Sequence, residues 1–84
     1  NDKERRFNMI KEITKRQAQQ LLKSGEESGK YEPLGNFIMK NGEVWVGFAN
    51  EEGSCYVEES KSKDLIKKWL EGEIDVDELY EENQ

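Results

Sequence analysis

Apolar residues recur along this chain at two different spacings, and the change from one to the other marks out its elements. Ile13, Ala18, Leu21 and Leu22 fall at helical intervals, residues 34 to 49 place apolar side chains at alternate positions, and Leu65, Ile66, Trp69 and Leu70 return to a helical stripe. The first helix opens at Thr14-Lys15-Arg16-Gln17, an S/T-x-x-E/Q pattern in which two side chains satisfy the orphan backbone donors of the first turn. Ile13 and Ala18 stand where a hydrophobic staple would, and the pattern predicts a helix to about Lys23 stopped by Gly25. Phe7 to Glu12 either extends this helix or lies against the sheet as a short strand.

Residues 24–33 hold two glycines, two serines and the single proline, Pro33, and read as a connection. Asn41-Gly42 between two apolar stretches predicts a type I′ hairpin turn joining strands Leu34 to Lys40 and Glu43 to Ala49. That turn pairs Lys40 with Glu43, Met39 with Val44, Ile38 with Trp45, Phe37 with Val46 and Gly35 with Phe48. Phe37, Met39, Val44, Val46 and Phe48 then share an apolar core face, while Asn36, Ile38, Lys40, Glu43, Trp45 and Gly47 share the outer one. A four-residue turn at Asn50 to Gly53 leads into a third strand, Ser54 to Glu58, adding Cys55 and Val57 to the core face and Tyr56 and Glu58 to the outer face. Ser60-Lys61-Ser62 caps a helix of about Lys63 to Glu71, ended by Gly72, and Asp75-Val76-Asp77-Glu78 repeats the capping-box pattern before a short helix of about Val76 to Glu82.

The expected fold is therefore α+β: a two-layer sandwich with a three-stranded antiparallel meander and an N-terminal and a C-terminal helix packed on one face, in the order α-β-β-β-α plus a short acidic terminal helix. Its expected divisions are a basic arm over residues 1–12, one domain over 13–72 and an acidic tail or short helix over 73–84. With 84 residues and 33% hydrophobic side chains the core is small, so a protein partner or a homodimer would add useful burial.

Composition removes many chemistries. The chain has no histidine and one cysteine, Cys55, which excludes an intrachain disulfide, a Cys/His zinc cluster, a Ser-His-Asp triad and a Cys-His dyad. Adjacent carboxylates such as Glu58/Glu59 point apart on a strand, and the acidic run at Asp75 lacks the central glycine and closing glutamate of a calcium loop. No catalytic residue, metal site or cofactor is expected, and the reading is non-enzymatic. The longest apolar runs fall far short of the roughly 18 residues of a membrane helix, and no secretory apolar region precedes a cleavage site, so a cytoplasmic protein without membrane contact is expected.

Charge is unevenly placed. The net value of -6 conceals a basic N-terminal segment, with Lys3, Arg5, Arg6, Lys11, Lys15 and Arg16, and a terminal block after Leu70 with seven acidic and no basic residues. The expected partner-binding residues come from two places. Ile38, Trp45 and Tyr56 form an apolar cluster on the outer sheet face, where aromatic rings make good interface anchors unless another part of the chain covers them. Asp75, Asp77, Glu78 and Tyr80 come from the acidic block, which suits a basic partner surface.

The order of a capped helix, Pro33-Leu34-Gly35-Asn36-Phe37, the Asn41-Gly42 turn, Val44-Trp45-Val46-Gly47-Phe48 and a Lys-rich helix ending in Lys68-Trp69-Leu70 resembles small uncharacterised proteins of phages and prophages of Gram-positive bacteria, over about residues 13–71. The resemblance implies an accessory protein that modifies a host or defence protein by binding; it carries over no site residue. The leading expectation is a small acidic protein-binding module, an inhibitor or regulator of a larger protein. The alternative is a nucleic-acid-associated protein that contacts phosphates through its basic arm. That alternative predicts DNA or RNA binding that falls steeply with salt, with a slope flattened by replacing Arg5, Arg6 and Lys11 with Gln. Absence of binding at low salt in a fluorescence titration removes it.

Overall fold

The computed structural model describes residues 10–82. Its elements in chain order are β1 (Ile10–Glu12), α1 (Lys15–Ser28), β2 (Gly35–Asn41), β3 (Val44–Glu51), β4 (Ser54–Ser60), α2 (Lys63–Leu70) and α3 (Val76–Glu82). The α+β class stands, with four strands in place of three, in the order β1-β2-β3-β4. The added strand is β1, which runs parallel to β2 with Ile10 opposite Asn36 and Glu12 opposite Ile38. The Ile13 amide continues the ladder to the Ile38 carbonyl at 2.8 Å. Three residues of Ile-Lys-Glu are too short to display an alternating pattern, so their pairing depends on β2 presenting an open edge. The residues of the expected arm that precede Ile10 lie outside the described part of the chain.

A parallel pair needs a crossover, and α1 supplies it. Thr14 caps the helix as its sequence predicts: its hydroxyl accepts from the Gln17 amide at 3.1 Å, and its own amide donates to Gln17 Oε1 at 2.9 Å. The helix does not stop at Gly25. It continues to Ser28 and ends at Gly29, which takes φ 82° and donates its amide to the Gly25 carbonyl. Gly25 has another role, because a Cβ there would lie 2.0 Å from the Tyr31 ring. The loop after α1 folds back over the helix through that gap, and it is fastened to the far turn by the Tyr31 amide on the Gly53 carbonyl at 3.1 Å. Asn50, buried beneath it, donates through Nδ2 to the Pro33 carbonyl at 3.0 Å.

Both hairpin turns differ from expectation. The first is closed by Asn41 opposite Val44, leaving Gly42-Glu43 as a two-residue loop in which only Gly42 has positive φ, 65°. A loop that needs the left-handed region at its first position alone suits Gly followed by an ordinary residue, so Asn41 joins the strand. The register becomes Met39 opposite Val46, Lys40 opposite Trp45 and Phe37 opposite Phe48. Each partner moves by two positions, and no side chain changes face. The second turn is a two-residue loop, Glu52-Gly53, with φ 50° and 87° at its two positions, the pattern expected of a type I′ turn.

The main correction concerns layers. The two expected helices do not share a face: α1 covers one side of the sheet, and α2 with α3 covers the other. Ala18, Phe37, Met39, Val46 and Phe48 form the buried cluster under α1, joined by Ile13, Leu21, Leu22, Val44 and Cys55. Ile38, Ala49, Ile66, Leu70 and Leu79 form a second buried cluster on the opposite face, joined by Ile10, Trp45, Leu65, Trp69 and Ile74. The face read as outer is thus a second core. It is made possible by Gly47, where a Cβ would stand 2.7 Å from Ile66 Cγ2 and 3.2 Å from the Trp69 ring. Val57, expected in the core, is 45% exposed, because α1 lies against β2 and leaves the β4 side of its face open.

Both ends of α2 are capped. Ser62 Oγ accepts from the Leu65 amide at 3.2 Å, and the Gly72 and Glu73 amides return to the Trp69 and Lys68 carbonyls, a Schellman ending that uses Gly72 at φ 82°. Buried Asn36 on β2 donates to the Leu70 carbonyl at 3.2 Å and ties the same helix end to the sheet. α3 starts as its capping box predicts, with the Glu78 amide on Asp75 Oδ1 at 2.9 Å. Leu79 of α3 is fully buried, so the acidic segment is part of the folded unit.

Two substitutions test this packing. Gly47→Ala forces Ile66 and Trp69 aside and is expected to cost about 1–3 kcal/mol. Leu79→Ala empties a closed site and is expected to cost about 2–5 kcal/mol in urea denaturation. An unchanged midpoint for Leu79→Ala would show α3 to be independent of the cooperative unit.

Candidate functional site

The expected partner-binding residues separate into three groups once placed on the fold. Ile38 is 2% exposed beneath α2 and leaves the set, because a residue sealed in the second core meets no partner. Trp45 is half-buried, packs against that core, and has Lys63 Nζ 4.6 Å and Lys40 Nζ 5.7 Å from its ring centroid. Lys63 also reaches Glu12 Oε1 at 2.8 Å, so Trp45 is covered by the chain's own lysines at the junction of β1, β3 and α2. Internal cover, the alternative weighed for Trp45, is what the geometry displays there.

Tyr56, Asp75, Asp77, Glu78 and Tyr80 remain on the surface. On β4, Tyr56 stands opposite Ala49 and Glu58 stands opposite Gly47. Tyr56 is 55% exposed and Tyr80 46% exposed. Between β4 and the α2–α3 connection runs an open groove of roughly 600 Å3, lined by Ala49, Tyr56, Trp69, Ile74 and Val76 together with Glu58, Glu73, Asp75 and Glu78. No Lys or Arg lines it. The lining therefore combines apolar side chains with carboxylates of a single charge sign.

Glu58 is the residue that sequence reasoning missed. Its hydrogen bond from the Tyr80 hydroxyl ties α3 to β4. Alternation with Tyr56 placed Glu58 on the correct face, but nothing local connects it to Tyr80, which is 22 residues away. The hydrogen bond to Glu58 is the main cause that raises the Tyr80 phenol above the ordinary tyrosine value; slight desolvation and the negative charges of Glu58 and Glu59 act in the same direction. Asp75 and Glu78 of the lining are held by the first turn of α3, since each carboxylate accepts from the other residue's backbone amide. Their charge lines the groove while their positions are set by the helix.

Among the described residues no three Cys, Asp or Glu side chains stand close enough together to hold a metal ion, and no helix is long and apolar enough to cross a membrane. Cys55 is half-buried under the edge of the α1 cluster, and burial pushes its thiol up from the ordinary value. That direction lowers the thiolate fraction at neutral pH and makes Cys55 a poor nucleophile.

No family model matches the chain, and no curated protein and no solved structure matches it. What the geometry itself defines is an α+β protein with a four-stranded sheet between helices, carrying an acidic, aromatic groove along its β4 side.

The Tyr80–Glu58 contact predicts a pH dependence. A raised native value means that the fold favours the protonated phenol, so the contribution is present below the ordinary tyrosine value of about 10 and is lost as pH rises through the raised native one. In an NMR titration of the Tyr80 ring, the wild type should deprotonate at higher pH than Glu58→Gln. Coincident curves would remove the contact.

Proposed function

We propose that this chain is a small, non-enzymatic protein-binding module that docks through its β4–α3 face on a basic surface of a larger protein and regulates or inhibits that protein by occupying it. The observation that carries the reading is the groove: exposed Tyr56 among apolar side chains and carboxylates with no cation in the lining, and exposed Tyr80 hydrogen-bonded to Glu58 of that lining. Tyrosine suits an interface because its ring buries large area while freezing few rotors and its hydroxyl stays satisfied. A single-sign lining adds long-range attraction, raising the association rate for a cationic partner and discriminating against acidic ones.

The acidic block after Leu70 supports the same assignment. α3 is held in place by Leu79 in the core and by Tyr80 on Glu58, so its carboxylates are presented on a fixed element. Fixed charge loses less entropy on binding than the same charge on a free tail. The chain as a whole, at net charge -6, is repelled by phosphate backbones and attracted to basic protein surfaces.

On an array of random peptides, retained sequences should be enriched in Lys and Arg together with an aromatic or aliphatic residue. The double variant Tyr56→Ser/Tyr80→Ser should lose about 2 kcal/mol or more of binding free energy for the best of them, the loss typical of a hot-spot aromatic. Circular dichroism and the thermal midpoint of the variant establish whether it keeps the fold. Retention of peptides without cationic enrichment, or unchanged affinity in a folded variant, rejects the assignment.

A further inference from the structure

Among the described residues, β4 is the one long strand at an edge of the sheet. It spans Ser54–Ser60 and pairs with β3 in an unbroken register from Trp45 opposite Ser60 to Glu51 opposite Ser54, and no described strand pairs with its other side. The opposite edge strand, β1, has only three residues. Proteins commonly blunt a long edge with a proline, a bulge or a covering element. β4 contains no proline and no bulge, and both its faces are open at mid-strand, with Tyr56 55% and Val57 45% exposed.

What protects this edge is charge, from the adjacent carboxylates Glu58 and Glu59. That protection is selective. If two copies paired β4 to β4 antiparallel about Val57, each Glu58 would have its symmetry mate as a diagonal neighbour at about 7–8 Å, in an assembly whose subunits each carry -6. A cationic extended segment meets attraction at the same positions. The hairpin geometry also fixes which backbone groups are on offer. A two-residue loop is closed by a hydrogen-bonded pair, so alternation directs the amides of Ser54, Tyr56 and Glu58 toward β3 and those of Cys55, Val57 and Glu59 outward.

We infer that the partner contributes an extended, basic segment that adds to the sheet as a fifth strand along β4, antiparallel to it, with Lys or Arg beside Glu58 and Glu59 and apolar side chains beside Val57 and Tyr56. This rests on the docking reading above and specifies its geometry. Main-chain hydrogen bonds from Cys55, Val57 and Glu59 give the affinity, and alternate side chains give the specificity: one set enters the groove face beside Tyr56 and Tyr80, the other lies on the face that α1 leaves uncovered. The Tyr80–Glu58 hydrogen bond holds the carboxylate at the edge in the position a guanidinium would meet.

The probe is the capped peptide Thr-Lys-Arg-Val-Tyr-Val-Thr, whose residues in that order oppose Ser60 to Ser54. Hydrogen exchange by NMR on the intact chain should show the amides of Cys55, Val57 and Glu59 slowed about tenfold or more at saturation, with Ser54, Tyr56 and Glu58 little changed, as expected when a backbone donor gains a partner. Val57→Pro, which deletes the central outward donor at an edge position where proline is tolerated, should weaken binding about tenfold or more while keeping the fold. A peptide N-methylated at its second, fourth and sixth residues, where its amides face β4, makes the same test without altering the protein and should not bind. Glu58→Gln/Glu59→Gln should weaken binding and flatten its salt dependence.

Binding without protection of the three outward amides, or binding by the N-methylated peptide, overturns strand addition and leaves docking by side chains alone. Failure of this peptide while array-selected basic peptides bind does the same. Protection that rises with protein concentration without peptide, together with a dimer mass, assigns the edge to a second copy and also overturns it. Failure of every cationic ligand overturns the docking reading itself.

Discussion

The close approach of α2 to the sheet at Gly47 is the constraint on which the rest of this molecule depends. Ile66 and Trp69 occupy the space that any side chain at residue 47 would need. With α2 seated there, Ile38 and Ala49 on the sheet and Leu70 on the helix become interior, and a face that would otherwise be amphipathic closes as a second core. The Schellman ending at Gly72 and the Asn36 side chain on the Leu70 carbonyl then set where the chain leaves α2. That exit delivers Ile74 and Leu79 to the same cluster and stands α3 beside β4. Groove, tyrosines and acidic lining all follow from one missing Cβ.

Charge is sorted along the face that α2 and α3 cover. At one end Lys63 joins Glu12 and, with Lys40, covers the Trp45 ring, fastening β1 and α2 to the middle of the sheet. The Lys63–Glu12 pair is exposed and contributes at most about 1 kcal/mol, so its effect is to orient as much as to stabilise. At the other end the carboxylates of Glu58, Glu73, Asp75 and Glu78 meet no cation along the groove. Asp75 and Glu78 also complete the start of α3, which makes the acidic lining a by-product of capping chemistry and gives it a fixed position. The same residues therefore serve the fold and supply the field that a basic partner would encounter.

The open edge of β4 reflects an economy of cover in so short a chain. α1 is bound to the β1–β2 side because it is the crossover between two parallel neighbours, and it reaches β4 no further than Cys55, leaving Val57 open. α3 shields part of β4 on the other face but leaves its edge free, with Tyr56 and Val57 facing water on opposite sides. Glutamates at the edge oppose the pairing of β4 with a second copy, since like charges meet in the self-complementary register.

How far the sequence could be read follows from the range of each signal. The caps at Thr14, Ser62 and Asp75, the Gly72 ending, the helical stripe through Leu65 to Leu70 and the division of β2 and β3 into two faces all depend on residues within a few positions of one another, and each was legible. So was the placement of Tyr56 and Glu58 on the face opposite Phe48. What alternation could not state is whether a second apolar face is covered, because Ile38, Trp45 and Gly47 look the same beneath a helix as beneath a partner. The three-residue β1, the loop over Gly25, the exposure of Val57 and the Tyr80–Glu58 contact are likewise long-range facts. The sequence by itself determined the elements, their caps and the side on which each strand residue lies, since those are set by local hydrogen bonding and a two-residue period. Only the tertiary structure decided which side each helix takes, because that choice depends on Gly47 and α2 meeting across residues that no local pattern connects.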